Sequence, residues 1–189
     1  MSGQRPTADV VVVGSLNMDL VVRTPRMPRP GETVHAESFA TFPGGKGANQ
    51  AVAAARMGAS VAMVGRVGQD SFGRELVEGL RRDGVNVERV RALEGATTGI
   101  ASIWVEQHSA ANAIAVVAGA NGLLGPADVE AAAELLGGAQ AVLLQLEVPL
   151  ATVEAAVQLC RRAGVRAVLD PAPARVEAAR WLGQLWAVT

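Results

Sequence analysis

The sequence predicts an α/β fold, with a doubly wound, mostly parallel sheet flanked by helices and a small antiparallel β lid. Residues 9–14 contain an unbroken valine run, which is typical of a strand buried on both faces of a parallel sheet. Strand-like and helix-like segments alternate over most of the chain, and right-handed crossovers then give one parallel sheet. Two stretches without helical spacing, about residues 20–43 and 97–118, interrupt this alternation and predict the lid.

The elements follow from the spacing of apolar residues, with glycine and proline marking helix boundaries. The predicted strands are residues 9–14, 60–67, 98–105, 112–117, 141–146, 165–170 and the start of one at 185–189. The predicted helices are residues 48–57, one that begins at Asp70 or Ser71 and ends before Gly84, one between Pro126 and Gly137, and residues 152–163 and 175–182. The strands 98–105 and 112–117 form a predicted hairpin whose turn is residues 107–110.

Composition limits the classes of function. The chain has 189 residues, half of them hydrophobic, which is enough for one core and short for two. Its 17 Lys and Arg against 18 Asp and Glu give no overall field for nucleic acid or an anionic membrane. The single cysteine, Cys160, excludes a disulfide within the chain and indicates a reducing compartment. No apolar stretch approaches the roughly 18 residues of a membrane helix. We therefore expect a soluble, cytoplasmic protein.

Two polar pairs follow predicted strands of the parallel sheet. Asn17 and Asp19 come after the first strand, and Gln145 and Glu147 follow the apolar run that begins at residue 141. Ligands of open α/β sheets bind at the carboxyl ends of the strands. Carboxylates accept hydroxyl hydrogen bonds and amides both donate and accept, so this set suits the adjacent hydroxyls of a sugar.

The segment Gly44-Gly45-Lys46-Gly47-Ala48-Asn49 is interpreted as a glycine turn that opens a helix. The glycines allow close backbone approach, the helix start presents free N–H groups, and Lys46 and Asn49 add donors. The alternative is that a Gly-Gly pair before a helix is only loop punctuation. The segment is not a P-loop, because Gly47 follows Lys46 where Ser or Thr is needed, and its spacing is not a dinucleotide fingerprint.

Several reactive residue types have simpler structural explanations. Asp70 fits a helix cap. Asp170 ends a predicted strand, where it is a substitute general base or, as we favour, the cap of the following turn. Cys160 lies in an apolar stretch without a histidine partner and is expected in the core. His35 and His108 lack metal-ligand spacing, so no metal site is predicted.

Six segments carry a family resemblance. They are Gly14-Ser15-Leu16-Asn17-Met18-Asp19, Pro30-Gly31-Glu32-Thr33, Gly44-Gly45-Lys46-Gly47-Ala48-Asn49-Gln50-Ala51, Gly119-Ala120-Asn121, Gln145-Leu146-Glu147 and Pro171-Ala172-Pro173-Ala174. In this order they resemble the ribokinase branch of the PfkB-type carbohydrate kinases, over nearly the entire chain. The form of the third segment favours that branch over the fructokinase and adenosine kinase branches.

The resemblance implies a ribokinase-like doubly wound fold with a β lid, and phosphorylation of D-ribose to ribose 5-phosphate by ATP with Mg²⁺ and a monovalent cation, K⁺. It also implies a homodimer formed through the lid. By matching position, two lid residues, Ala101 and Ile114, would contact the sugar. The other sugar-binding residues by the same matching would be Asn17, Asp19, Gly44, Gly45, Lys46, Asn49 and Glu147.

The family pattern also calls for a Gly-Ala-Gly-Asp motif that holds the catalytic base, and for a Pro-Asn-Glu segment near the phosphates. Neither occurs in the 189 residues. A general base typically contributes about 10²- to 10⁴-fold, so its loss is severe. We therefore expect residues 1–189 to form one incomplete ribokinase-like domain, truncated before the ATP site, with no catalytic residue of its own. A catalytically inactive sugar-binding or dimerising fragment, and another PfkB-type sugar kinase, remain as alternatives.

Overall fold

The computed structural model describes residues 8–109 and 111–189 of the chain. Its strands are β1 (Val10–Val13), β2 (Asn17–Thr24), β3 (Ser38–Gly44), β4 (Val61–Gly68), β5 (Asn86–Leu93), β6 (Gly99–Glu106), β7 (Asn112–Val117), β8 (Ala141–Leu144), β9 (Arg166–Leu169) and β10 (Ala187–Val188). Its α-helices are α1 (Lys46–Arg56), α2 (Ser71–Arg82), α3 (Pro126–Ala131), α4 (Ala133–Gly137) and α5 (Leu150–Ala163). Two 3₁₀ helices span Gly119–Leu123 and Val176–Gln184.

The strands form two sheets. The larger has the order β10-β9-β8-β1-β4-β5, and each neighbouring pair is parallel. The smaller has the order β3-β2-β6-β7, with antiparallel outer pairs and a parallel central pair. The predicted doubly wound sheet and the second small sheet are confirmed. The small sheet is mixed and not antiparallel throughout as predicted, because β2 and β6 follow the carboxyl ends of β1 and β5 and so leave the same edge of the large sheet.

The valine run of β1 is buried because successive side chains enter different cores. Val11 and Val13 pack in a cluster with α3, α4 and α5, whereas Val12 packs in a cluster with α1 and α2. Neighbouring side chains of a strand point to opposite faces, so a strand covered by helices on both sides needs apolar residues at every position. Burial on both faces of β1 therefore confirms the interpretation of residues 9–14.

The order of the strands creates a switch point beside β1. The chain builds β4 and β5 on one side of β1 and then β8, β9 and β10 on the other. The connections that follow β1 and β8 therefore run in opposite directions along the sheet, which leaves a crevice at the carboxyl ends of these two strands. The polar residues that follow β1 and β8 are thereby brought to one place.

Local signals confirm most helix boundaries. The Asp70 carboxylate accepts a hydrogen bond of 2.8 Å from Gly73 N and caps α2. Helix α1 ends at Arg56, two residues before Gly58, whose φ of 92° suits only glycine without strain. Cys160 is fully buried, and burial raises the pKa of its thiol to about 11, as expected of a core cysteine.

Three elements differ from the sequence prediction. Strand β5 was not predicted, because its exposed charged residues conceal the alternation. The predicted helix between Pro126 and Gly137 divides at Ala132 into α3 and α4. The predicted helix 175–182 is a 3₁₀ helix. The turn predicted at residues 107–110 includes Ala110, which lies outside the described residues.

Within the two described ranges, no helix combines the length and the apolar character needed to cross a bilayer.

Candidate functional site

The candidate site lies at the crevice between the carboxyl ends of β1 and β8, where the start of α1 reaches it. Ser15 Oγ donates to Glu147 Oε2 at 2.6 Å, and Lys46 N donates to the same oxygen at 2.9 Å. Gly47 N donates to Ser15 Oγ at 3.2 Å. The Glu147 carboxylate thus accepts one of the free N–H groups at the start of α1, where negative charge is favourable. These bonds fix β1, α1 and β8 relative to one another.

The glycine turn is needed for this close approach. Gly45 has φ 91°, and a Cβ there would lie 2.7 Å from Asn17 N. A Cβ at Gly47 would lie 2.6 Å from Ser15 N. Any side chain at either position would displace the connection between β1 and β2. The glycines therefore have a packing reason that holds with or without a ligand.

Asp19 supplies a carboxylate without a protein partner. Its side chain is partly buried, and no hydrogen bond or ion pair to it occurs within the described residues. A Cβ at Gly44 would lie 2.4 Å from Asp19 Oδ2, so the glycine makes room for the carboxylate. Burial, and then the charge of Glu147, raise the pKa of Asp19. A desolvated carboxylate of this kind is suited to accept hydrogen bonds from a ligand.

Lys46 faces a second carboxylate across the site. Its Nζ lies 3.8 Å from Asp170 Oδ2, at the carboxyl end of β9. Within the described ranges the Asp170 carboxylate makes no hydrogen bond to the turn that follows it, so the turn-cap interpretation is wrong. The strand order explains the contact between Lys46 and Asp170. Strand β9 lies next to β8, so its carboxyl end lies at the same edge of the large sheet as the carboxyl ends of β8 and β1.

The four-stranded sheet brings Ala101 next to Asp19. The two residues are register partners on β6 and β2, and register partners project to the same face. Ile114 lies on that face too, because it pairs with Ile103, two positions beyond Ala101. Ala101 is buried and Ile114 is 55% exposed. The structure thus places Ala101 beside the carboxylate and Ile114 further out.

Two polar residues that the sequence analysis placed near the site lie away from its centre. Asn49 is exposed and lines a groove of about 780 Å³ between α1 and α2. Its side chain makes no hydrogen bond within the part of the chain that the structure describes. Gln145 is fully buried, and its Nε2 donates to Gln50 Oε1 at 2.7 Å. A Cβ at Gly14 would lie 1.9 Å from Gln145 Oε1, so this amide fills the space that Gly14 leaves.

Sequence reasoning missed the residues that hold the others in place. Ser15 joins Glu147 to the glycine turn, Gln50 holds Gln145, and Asn121 Nδ2 donates to Asn17 Oδ1 at 2.7 Å. Each of these three residues lies in one of the six segments that carry the family resemblance, and this is the sequence signal that could have identified it. Their partners are a carboxylate, backbone groups and other amides, and such pairings depend on tertiary contacts that residue type alone does not reveal.

The arrangement has the chemistry of a polyol site. Asp19 offers an unpaired acceptor, Lys46 offers N–H donors, and Asn17 offers an amide. Within the described residues, no group of three or more His, Cys, Asp or Glu side chains is placed to hold a metal ion. Hydroxyl groups that both donate and accept are the ligands that match this set.

A family model described as pfkB family carbohydrate kinase matches residues 7–189. The ribokinase of Schizosaccharomyces pombe is 45% identical over 172 residues, which cover 88% of this chain and 54% of that protein. The deoxyribokinase of Salmonella typhi is 42% identical over 166 residues, with coverage of 88% and 54%. The solved structure of Arabidopsis thaliana ribokinase complexed with ribose and ATP has a TM-score of 0.76 and 35% identity, covering 87% of this chain and 53% of that one.

The chain belongs to the pfkB family of carbohydrate kinases. It is similar to ribokinases in sequence and in structure, and it spans about half the length of the curated relatives it matches.

Proposed function

We propose that this chain forms the sugar-binding part of a ribokinase and binds D-ribose at the crevice between β1 and β8. The observation that carries the proposal is the convergence of Asp19 and Glu147 beside the start of α1, with the Asp19 carboxylate unpaired among the residues that the structure describes. In the complete enzyme, D-ribose is phosphorylated to ribose 5-phosphate at the expense of ATP. Relatives named ribokinase, one of them solved with ribose and ATP, support this assignment.

Each residue of the site has a role that its surroundings allow. The Asp19 carboxylate accepts hydrogen bonds from sugar hydroxyls, and Lys46 donates hydrogen bonds to hydroxyl oxygens. Gly44 and Gly45 let the backbone approach the sugar. The Glu147 carboxylate already takes two hydrogen bonds on one oxygen, so its other oxygen serves the ligand. Asn49 faces the groove between α1 and α2 and is given no contact with the sugar in this proposal.

The four-stranded sheet acts as a lid in this proposal. Ala101 lies directly beside Asp19 and contacts the carbon skeleton of the sugar, and Ile114 covers it from the same face. Apolar contact suits the C–H faces of a pentose, whose hydroxyls are meanwhile taken by Asp19 and Lys46. The lid excludes water from the hydrogen bonds beneath it and thereby strengthens them.

The phosphoryl-transfer step is not assigned to residues of this chain. The residues that the structure describes hold no group fit for a metal, and no Gly-Ala-Gly-Asp motif is present, so the residues present do not fit Mg²⁺ or a catalytic base. ATP, Mg²⁺ and K⁺ belong to the complete enzyme. This chain supplies the binding and orientation of the sugar.

We also propose that the chain forms a homodimer through the lid. Phe42, Ile114 and Val116 share the face that carries Asp19, and each is more than half exposed. Contiguous exposed apolar side chains of this kind mark interaction sites. A second copy offers the same face, so a two-fold contact covers both.

Calorimetric titration of the chain with D-ribose and with 2-deoxy-D-ribose tests the sugar, and a coupled assay with ATP tests turnover. We expect saturable binding of D-ribose without turnover by this chain alone. Tighter binding of 2-deoxy-D-ribose would favour the second candidate, a deoxyribokinase, which the Salmonella relative supports. If neither sugar binds to the folded chain, the proposed function fails.

A further inference from the structure

Asn121 is a buried side chain that the proposed sugar site does not use. It lies in the 3₁₀ helix Gly119–Leu123 and is 1% exposed. Its Oδ1 accepts from Leu16 N at 2.9 Å, and its Nδ2 donates to Leu16 O at 2.9 Å. The same Nδ2 donates to Asn17 Oδ1 at 2.7 Å. One amide thus contacts the main chain of Leu16, between β1 and β2, and the side chain of Asn17, the first residue of β2.

The backbone of Leu16 decides which way the Asn121 amide points. A backbone N–H only donates and a backbone carbonyl only accepts, so Oδ1 must face Leu16 N and Nδ2 must face Leu16 O. The second N–H of that Nδ2 points to Asn17, where only an acceptor fits. Asn17 must therefore turn its Oδ1 towards Asn121. The orientation of the Asn121 amide therefore fixes the orientation of the Asn17 amide.

The NH₂ group of Asn17 is consequently free for the cleft. A Cβ at Gly99 would lie 2.3 Å from Asn17 Oδ1, so the oxygen is held close against the glycine. Within the described residues, Nδ2 of Asn17 has no hydrogen-bond partner. The atom keeps some solvent exposure, because it is not among the fully buried polar atoms that lack a partner. Asn17 and Asp19 are two positions apart on β2 and project to the same face. An amide donor therefore stands beside a carboxylate acceptor.

We propose that Asn121 is a positioning residue that holds Asn17 as a hydrogen-bond donor towards the ligand, beside the acceptor Asp19. A hydroxyl group satisfies this pair, because its oxygen accepts a hydrogen bond from Asn17 while it, or a neighbouring hydroxyl, donates a hydrogen bond to Asp19. The pair therefore favours ligands that carry hydroxyl groups. The inference rests on the proposed function only for the identity of the ligand, D-ribose.

The orientation is tested first without a ligand. In the ¹⁵N-labelled wild-type chain, the side-chain NH₂ signals of Asn17 are assigned from their loss in Asn17→Ala, and those of Asn121 by the corresponding Asn121→Asp variant. We expect slow solvent exchange of the Asn121 protons and fast exchange of the Asn17 protons. The reverse pattern overturns the proposal. Because no sugar is present, this result stands even if D-ribose does not bind and the proposed function fails.

The role in binding is tested by a double-mutant cycle. Asn121→Asp keeps the acceptor for Leu16 N and replaces the donor by an oxygen, which turns the Asn17 amide over. We expect D-ribose affinity to fall about tenfold, the effect of losing a well-made hydrogen bond. In an Asn17→Ala background, the further loss is under about twofold, because coupled residues are not additive. Equal losses in both backgrounds overturn the proposal.

A matched control separates positioning from the effect of a new charge. Asn86→Asp makes the same chemical change at an exposed residue whose Oδ1 accepts from Glu88 N at 2.9 Å. D-ribose affinity should not change in this variant. If Asn121→Asp does not fold, the exchange pattern and the shift of the Asn17 NH₂ signals in the wild-type chain on addition of D-ribose decide the question. Unshifted Asn17 signals at saturating D-ribose contradict the proposal.

Discussion

Asp19 is a carboxylate that the fold keeps partly buried and unpaired within the described residues. Burial, followed by the charge of Glu147, raises the pKa of Asp19 above 3.8, so the folded chain binds this proton more tightly than the unfolded chain does. The protonated Asp19 carboxyl therefore contributes fully to the free energy of unfolding below pH 3.8, and this contribution is lost as pH rises through the higher folded pKa. At neutral pH the ionised group destabilises the fold, a common cost of a binding site.

Asp19→Asn should therefore raise the midpoint of thermal unfolding at pH 7 while weakening D-ribose binding. The gain should shrink as the pH is lowered through the raised folded pKa, and below pH 3.8 the wild-type carboxyl is protonated in both the folded and the unfolded chain. Asp83→Asn is the control, because Asp83 lies in a surface ion pair with Arg56. Lower stability of Asp19→Asn at pH 7 would contradict the assignment.

Gly45 and Gly58 allow backbone strain to be separated from close packing. Their φ angles are 91° and 92°, but a Cβ would meet Asn17 N at 2.7 Å in the first case and nothing within 4 Å in the second. Gly58→Ala should cost about 1–3 kcal/mol from strain alone. Gly45→Ala should cost a further 1–3 kcal/mol or so, the usual cost of overpacking. Denaturant unfolding measures both, and equal losses would show that the close approach at Gly45 is unimportant.

At the scale of elements, Asp70 connects α2 to the start of β6. Its carboxylate accepts from Gly73 N at 2.8 Å, Thr98 N at 2.7 Å and Thr98 Oγ1 at 2.6 Å. Burial opposes ionisation, but the hydrogen bonds from Thr98 and Gly73 outweigh it and lower the pKa of Asp70. The resulting stability is present above pH 3.8 and is lost as pH falls through the lower folded pKa.

Asp70→Ala should lower the free energy of unfolding at pH 7 by about 0.5–2 kcal/mol, the range for loss of a helix cap. The loss should diminish as the pH falls from 3.8 through the lower folded pKa, where the wild-type carboxylate becomes protonated as well. Asp83→Ala, at the other end of α2, removes only an exposed ion pair worth about 0–1 kcal/mol. Guanidinium unfolding compares the two, and a loss for Asp70→Ala no greater than that for Asp83→Ala would mean that the cap is weak.

Elements whose structure is determined by residues close together in the sequence were predictable. The β1 valines indicate burial on two faces, and Gly58 indicates the end of α1, because both signals are local. Strand β5 could not be predicted, because Glu88, Arg89 and Arg91 keep an edge strand polar and protect it from pairing with other chains.

The site was predictable to a similar extent. Asp19 and Glu147 were found because each follows a strand of the parallel sheet, and topology then brings them together. The contact of Asp170 with Lys46 was not found, because it requires the neighbouring positions of β8 and β9 at the sheet edge. The hydrogen bonds of Asn121 likewise join residues 105 positions apart in sequence.

At the scale of the whole molecule, the face of the four-stranded sheet that carries Asp19 is the proposed dimer contact. Val116 and Val117 are adjacent on β7 and are 59% and 53% exposed, but only Val116 shares a face with Ala101 and Asp19. If a second copy covers this face, Val116→Glu should give monomers, because it places unpaired charges in the interface. Val117→Glu is the matched control and should leave the dimer intact. Sedimentation velocity measures both, and an intact dimer in Val116→Glu would contradict the proposed contact.

The central claim is that the crevice between β1 and β8 binds D-ribose through Asp19. Calorimetric titration at pH 7 of the wild-type chain, Asp19→Ala and Asp9→Ala tests it most directly. Asp9 lies at the opposite end of β1, where it accepts from Gln140 Nε2 at 2.8 Å, so its variant controls for the loss of a carboxylate. We expect equal affinities for wild type and Asp9→Ala, and an affinity at least about tenfold lower for Asp19→Ala. Absence of binding by the folded wild-type chain, or unchanged affinity in Asp19→Ala, would contradict the claim.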